Sequence, residues 1–167
     1  VAADRAAGDV PFLVVGTGGS VSTGAVDPLP ALAAFCRREK LWFHVDGAYG
    51  GFAAAAPEAP DDLRGLSEAD SVAVDPHKWL YAPLEAGCAL VRNPGHLLGA
   101  FSYHPPYYNF ETEAVNYFDL GPQNSRGFRA LKVWLGLRQA GWAGYRQMIA
   151  DDCSLAGCMY RLLDQHP

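Results

Sequence analysis

Apolar residues in the first half of the chain fall in short runs that stop at glycine or aspartate, and in the last quarter they recur at helical spacing. Phe12 to Val15 is the first run; it stops at Gly16, and Gly16-Thr17-Gly18-Gly19-Ser20 predicts a turn after a buried strand. Asp27 before Pro28 predicts a helix start, because Asp can cap free N–H groups and Pro suits the first helical position. Leu32, Phe35 and Cys36 then form a helical stripe that ends near Lys40. Leu41 to Val45 predicts a second strand, stopping at Asp46-Gly47, so the order strand, helix, strand is a βαβ unit.

Residues 53 to 61 are rich in Ala and Pro and predict a loop. Ser71 to Val74 follow as a third strand ending at Asp75-Pro76, and Cys88 to Val91 as a fourth. Four short strands with a helical crossover predict an α/β sheet whose ligand groups gather at the strand C-termini. Asp46 sits at one such end, and Lys78 three residues past Asp75 at another. Residues 100 to 123 show no sustained period and predict a long loop, a kind of segment that is often functional. Two amphipathic helices are expected after it, one through Phe128, Leu131, Trp134 and Leu135, the other through Tyr145, Met148, Ile149, Leu155, Met159 and Leu162.

Composition narrows the function classes. A chain of 167 residues, half of them apolar, can form one ordinary core. No apolar run reaches the length of a membrane-spanning helix, and a net charge of -5 gives no reason to expect nucleic acid or an anionic membrane as partner. A small molecule is the expected ligand. Cys36, Cys88, Cys153 and Cys158 show neither a CxxC pair nor zinc-like spacing, so buried free thiols and no metal site are expected. Free thiols and the absence of a secretory pattern in Val-Ala-Ala-Asp-Arg point to the cytoplasm. The first residue is Val, so the chain is either processed or a piece of something longer.

Three segments occur in order: Gly19-Ser20-Val21-Ser22-Thr23-Gly24-Ala25-Val26-Asp27, His44-Val45-Asp46-Gly47-Ala48-Tyr49 and Asp75-Pro76-His77-Lys78-Trp79. Together they resemble the group II pyridoxal-phosphate decarboxylases, the family of aromatic-L-amino-acid, histidine and glutamate decarboxylases. The likeness runs from about Val10 to Leu137. It implies the fold type I architecture of aspartate aminotransferase, with residues 1–130 as the C-terminal part of the cofactor-binding large domain and 131–167 as the start of the small domain. It also implies pyridoxal 5'-phosphate as cofactor, a homodimer, and decarboxylation of an L-amino acid to an amine and CO2. Trp79 after the lysine favours the aromatic branch.

The resemblance assigns roles to individual residues, each with a plainer structural alternative. Lys78 matches the lysine that forms a Schiff base with the cofactor; a lone lysine is otherwise a solvated charge. Asp46 matches the carboxylate that keeps a proton on the pyridine nitrogen, where a turn-forming Asp before Gly47 is the alternative. Ala48 matches the small residue packed on one ring face, or is filler. His77 would lie beside the cofactor, or is a satisfied structural histidine. Asp75 stands where the family commonly has Asn, which leaves a phosphate contact from this position open. Tyr107, in His104-Pro105-Pro106-Tyr107, matches the mobile-loop tyrosine that returns a proton to the α-carbon; it could be a packing aromatic, and Tyr108 beside it competes for the role. Arg126 matches an arginine near the active site and is assigned to substrate binding. The family's ring-stacking histidine and phosphate-binding loop lie upstream of the first segment and do not fit before Val10, so the chain is expected to be inactive alone. Two other readings remain: another pyridoxal-phosphate enzyme of the same fold, such as a transaminase, lyase or aldehyde synthase, or a truncated chain without activity.

Overall fold

In the computed structural model, residues 1–107 and 114–166 are described. A short helix α1 (Ala2–Ala6) precedes β1 (Leu13–Thr17), α2 (Leu29–Glu39) and β2 (Trp42–Asp46). Two 3-10 segments, Gly51–Ala55 and Asp61–Glu68, lead to β3 (Ser71–Val74) and β4 (Cys88–Val91). Helix α3 (Pro94–Phe101), a 3-10 turn Tyr117–Leu120 and the long α4 (Arg129–Asp164) complete the order. The chain forms two compact units, Val1–Leu90 with Arg129–Pro167, and Val91–Phe128.

The sheet order is β1-β2-β3-β4. β1 pairs with β2 in parallel, Thr17 opposite Asp46, and β2 with β3 in parallel, Asp46 opposite Ala73. The expected βαβ unit is therefore present, and three strand C-termini lie side by side. Helix α2 covers it: Leu29, Ala33 and Cys36 pack with Leu41, Phe43, Val45, Leu63 and Ala69 into one core. Leu32 and Phe35 sit at its margin, so the buried stripe is rotated slightly from the predicted one. Full burial of side chains such as Leu29 and Phe43 contributes about 1.5–3 kcal/mol each.

Several local expectations are corrected. The first strand runs on through Gly16 and Thr17 instead of turning at Gly16. Gly16 leaves room for the core beside it, since a methyl group there would come within 2.8 Å of Leu29 Cδ2 and make that side chain shift. Asp27 does not cap α2; its Oδ2 accepts from the Thr17 N–H at 2.8 Å, and the helix begins two residues later. The predicted loop at 53 to 61 is present over 56–60, with 3-10 segments overlapping it at residues 53–55 and 61. The two expected closing helices are the halves of α4, broken at Gly141, whose φ of 66° leaves the helical region. The cysteines are free, but only Cys36 is buried, while Cys153 and Cys158 are exposed.

In the second unit, residues 94–101 are helical where a loop was expected from 100 onward, and Asn93 caps the helix by accepting from the Gly95 N–H at 3.0 Å. Asp119 is buried and accepts from the Ser102 hydroxyl and from His104 Nε2, both at 2.9 Å. Tyr108 lies outside the described residues.

Candidate active site

The ends of β1, β2 and β3 are locked together beyond their ladders. Gly18 N–H donates to the Asp46 carbonyl at 2.7 Å, and Gly47 N–H to the Ala73 carbonyl at 2.9 Å. The loops after β1 and β2 then touch backbone to backbone: a Cβ on Gly50 would meet Gly19 Cα at 2.7 Å, and Gly19 itself has a φ of 98°. Only glycine permits both the approach and the left-handed conformation. Asp46 leaves this edge exposed, with Oδ1 accepting from the Ala48 N–H at 3.0 Å. Both the carboxylate and the small residue thus share one tight turn.

The segment after β3 carries the lysine. Its backbone turns at once, Lys78 N–H donating to the Asp75 carbonyl at 2.9 Å. The Lys78 amine, one third exposed, pairs with Asp75 Oδ2 at 2.8 Å. His77 has Nδ1 2.7 Å from the Ala86 carbonyl and Nε2 3.8 Å from the same Asp75 oxygen. Trp79 meets Tyr49 edge-on, with ring centroids 5.7 Å apart. A cleft of about 450 Å³ is lined by Tyr49, Lys78, Trp79, Tyr81, Asp152 and Cys153.

Helix α4 ties this segment down. Tyr81 donates its hydroxyl to Asp152, and that bond, with some burial, pushes the phenol up to about 12. Arg129 binds Glu85 and holds its carboxyl below the usual range, while Lys132 donates to the Pro83 carbonyl at 3.0 Å. Between these ties Tyr81 adopts a φ of 52°, uncommon for a residue with a side chain.

The predicted residues are thus only partly brought together. Lys78 lines the cleft with Trp79, whereas Asp46 and Ala48 sit at the neighbouring strand end and His77 faces Ala86 and Asp75. Tyr107 and Arg126 belong to the second unit. Tyr107 is exposed and lines a separate cleft of about 310 Å³ with Phe101, Tyr103 and Phe118. Arg126 donates to the carbonyls of Gln123 and Tyr117. The Tyr81–Asp152 pair and the Asp119 cluster were not anticipated. The first joins residues 71 apart with no spacing to betray it, but the Gly18-Gly19 and Gly50-Gly51 doublets were a readable sign of close backbone approach. Among the described residues no three His, Cys, Asp or Glu are placed to hold a metal ion, and no helix is long and apolar enough to cross a membrane.

Comparison with known proteins adds the decisive observation: residues 1–167 match the pyridoxal-dependent decarboxylase conserved domain. The chain belongs to that family. It is 42% identical over 158 residues to an aromatic-L-amino-acid decarboxylase of Bacillus atrophaeus, covering 92% of this chain and 33% of that protein. A tryptophan decarboxylase of Camptotheca acuminata is 39% identical over 160 residues, covering 93% of this chain and 32% of its own. Among solved structures, the Oryza sativa TDC with PLP and tryptamine superposes with a TM-score of 0.80 at 37% identity, over 87% of this chain and 31% of that one. The fold is therefore that of the pyridoxal-phosphate decarboxylases, and this family member spans about a third of the length of the relatives it matches.

Proposed function

We propose that the chain is part of a pyridoxal-phosphate-dependent carboxy-lyase that decarboxylates an aromatic L-amino acid, with Lys78 as its cofactor lysine. The observation that carries this reading is the position of Lys78: on a cleft, just past the end of β3, beside the strand end that presents Asp46. The relatives named for aromatic amino acids support the substrate class. The residues present fit the cofactor chemically, since an accessible amine and an exposed carboxylate follow adjacent parallel strands. Lys78, Asp46, Ala48 and His77 would hold it. When bound, pyridoxal phosphate supplies an aldehyde for the lysine amine and a cationic ring that takes up the electron pair left by departing CO2.

Lys78 must release Asp75 before its amine can act as a nucleophile, because an ammonium has no lone pair to give. Asp46 holds a proton at the ring nitrogen through its carboxylate. Tyr107 delivers a proton from its hydroxyl to the α-carbon, and Arg126 orients the substrate. The same proposal takes residues 1–130 as large domain and 131–167 as the start of the small one, in a cytoplasmic homodimer. Family resemblance is its support.

The test is borohydride reduction of the protein mixed with pyridoxal phosphate, followed by peptide mass mapping. A tag on Lys78 above that on Lys40 and Lys132, and lost in Lys78→Ala, is the expected result. Equal tagging of all three lysines would overturn the assignment.

A further inference from the structure

Lys78 itself is tied to Asp75, but the segment that follows it is tied to the C-terminal helix. Its segment leaves β3 and returns to the sheet only at β4, so residues 79–87 need support from elsewhere. Beside the His77–Ala86 contact, three side-chain ties come from α4: Arg129 to Glu85, Lys132 to the Pro83 carbonyl, and Asp152 to Tyr81. The first two precede the break at Gly141 and the third follows it, so both halves of the helix grip the segment. Tyr81 is the tie nearest the lysine. Its backbone carries a φ of 52°, and a side-chain-bearing residue keeps such a conformation only where surrounding contacts over-determine it. Tyr81 N–H also donates to the Lys78 carbonyl at 3.2 Å, which makes the strained residue and the lysine two ends of one turn. Both side chains line the same cleft, as does Asp152.

We infer that Tyr81 and Asp152 are positioning residues that set the direction of the Lys78 amine, so that α4 holds the cofactor lysine ready. This rests on the reading of Lys78 as the cofactor lysine. Loss of the phenol–carboxylate bond relaxes the turn, lets Lys78 swing into solvent, and lowers the share of amines correctly aimed. The carboxylate acts through Tyr81 and touches neither substrate nor cofactor in this scheme.

The experiment measures two properties of Lys78 in the same samples, with the thermal midpoint recorded beside them. One is trace acetylation by acetic anhydride of the cofactor-free protein, expressed as Lys78 relative to the exposed Lys40. The other is the yield of borohydride-trapped pyridoxal phosphate at Lys78 under limiting cofactor. Tyr81→Phe and Asp152→Ala are each expected to raise the acetylation ratio and lower the trapped yield by about three- to tenfold, the range that one net hydrogen bond spans. Asp152→Asn, which keeps an acceptor oxygen, should stay near wild type. The double variant Tyr81→Phe, Asp152→Ala should match either single one, since the two side chains act as a unit. An unchanged acetylation ratio in Tyr81→Phe, or additive effects in the double variant, would overturn the inference. Absence of trapping in the wild type would instead count against the cofactor assignment, because acetylation reads the amine without pyridoxal phosphate. Tyr81→Gly separates backbone from side chain: it relieves the φ of 52° but should still behave like Tyr81→Phe.

Discussion

Each of the two units is ordered internally by a different kind of interaction. Around β2 the order comes from apolar burial: Phe43, Val45 and Leu29 are almost wholly inaccessible, and the strand ends close on glycine backbone. In the unit Val91–Phe128 the buried described residues are Pro105 and Asp119, and Asp119 accepts from Ser102 and His104. Burial is additive and tolerant of detail, whereas a carboxylate that serves two donors fails as a whole if it is removed. The difference teaches where each kind of side chain is put to use. The proposed cofactor lysine, Lys78, belongs to the apolar unit, and the proposed proton donor Tyr107 to the polar one.

The largest effect expected from breaking this contrast is at Phe43. Phe43→Ala should cost about 3–5 kcal/mol, read as a drop in the denaturant midpoint, because it opens a cavity beneath the sheet. Asp119→Ala comes next at about 0.5–1.5 kcal/mol for each hydrogen bond lost, because the Ser102 and His104 donors it frees are exposed and water can pair with them. Its effect should be local: amide exchange should quicken in residues 94–106 and 114–120 while β2 stays protected, and equal loss of protection in both would erase the distinction. The smallest effect lies at the surface of the apolar unit, where Arg5 and Arg38 hold the Glu39 carboxyl below its ordinary value. A depressed carboxyl adds stability above its unfolded pKa of about 4.5 and loses it as pH falls through the lower folded value. Wild type should therefore exceed Arg5→Ala slightly at pH 7, and the two melting curves should converge on acidification; a gap that persists at low pH would show that the clasp is not ionic.

The sheet was legible because its signals are local. β3 and β4 have the bounds read from their apolar runs, and Gly141 divides α4 where the apolar repeat restarts. The misreadings share a cause, which is a distant group competing for a local signal. Asp27-Pro28 looks like a helix start, yet the Thr17 N–H ten residues back claims the carboxylate. Asn93-Pro94 carries the same kind of signal, has no such competitor, and does open a helix. Motif order was enough to nominate Lys78 and Asp46 as site residues, but not to reveal the Tyr81–Asp152 tie, since nothing near residue 81 names a partner 71 positions away.

The glycine contact between the loops after β1 and β2 has a consequence for how this protein can change. Gly19 and Gly50 approach so closely that neither has room for a side chain, and each is the reason the other is confined. The two positions therefore form a single unit of variation. A substitution at either one cannot be rescued by trimming its neighbour, which has nothing left to remove, so the remaining response is to part the loops and carry Asp46 away with them. Sequence drift at this edge is blocked from both sides, and any descendant that keeps the carboxylate beside the lysine strand is bound to keep the pair of bare backbones as well.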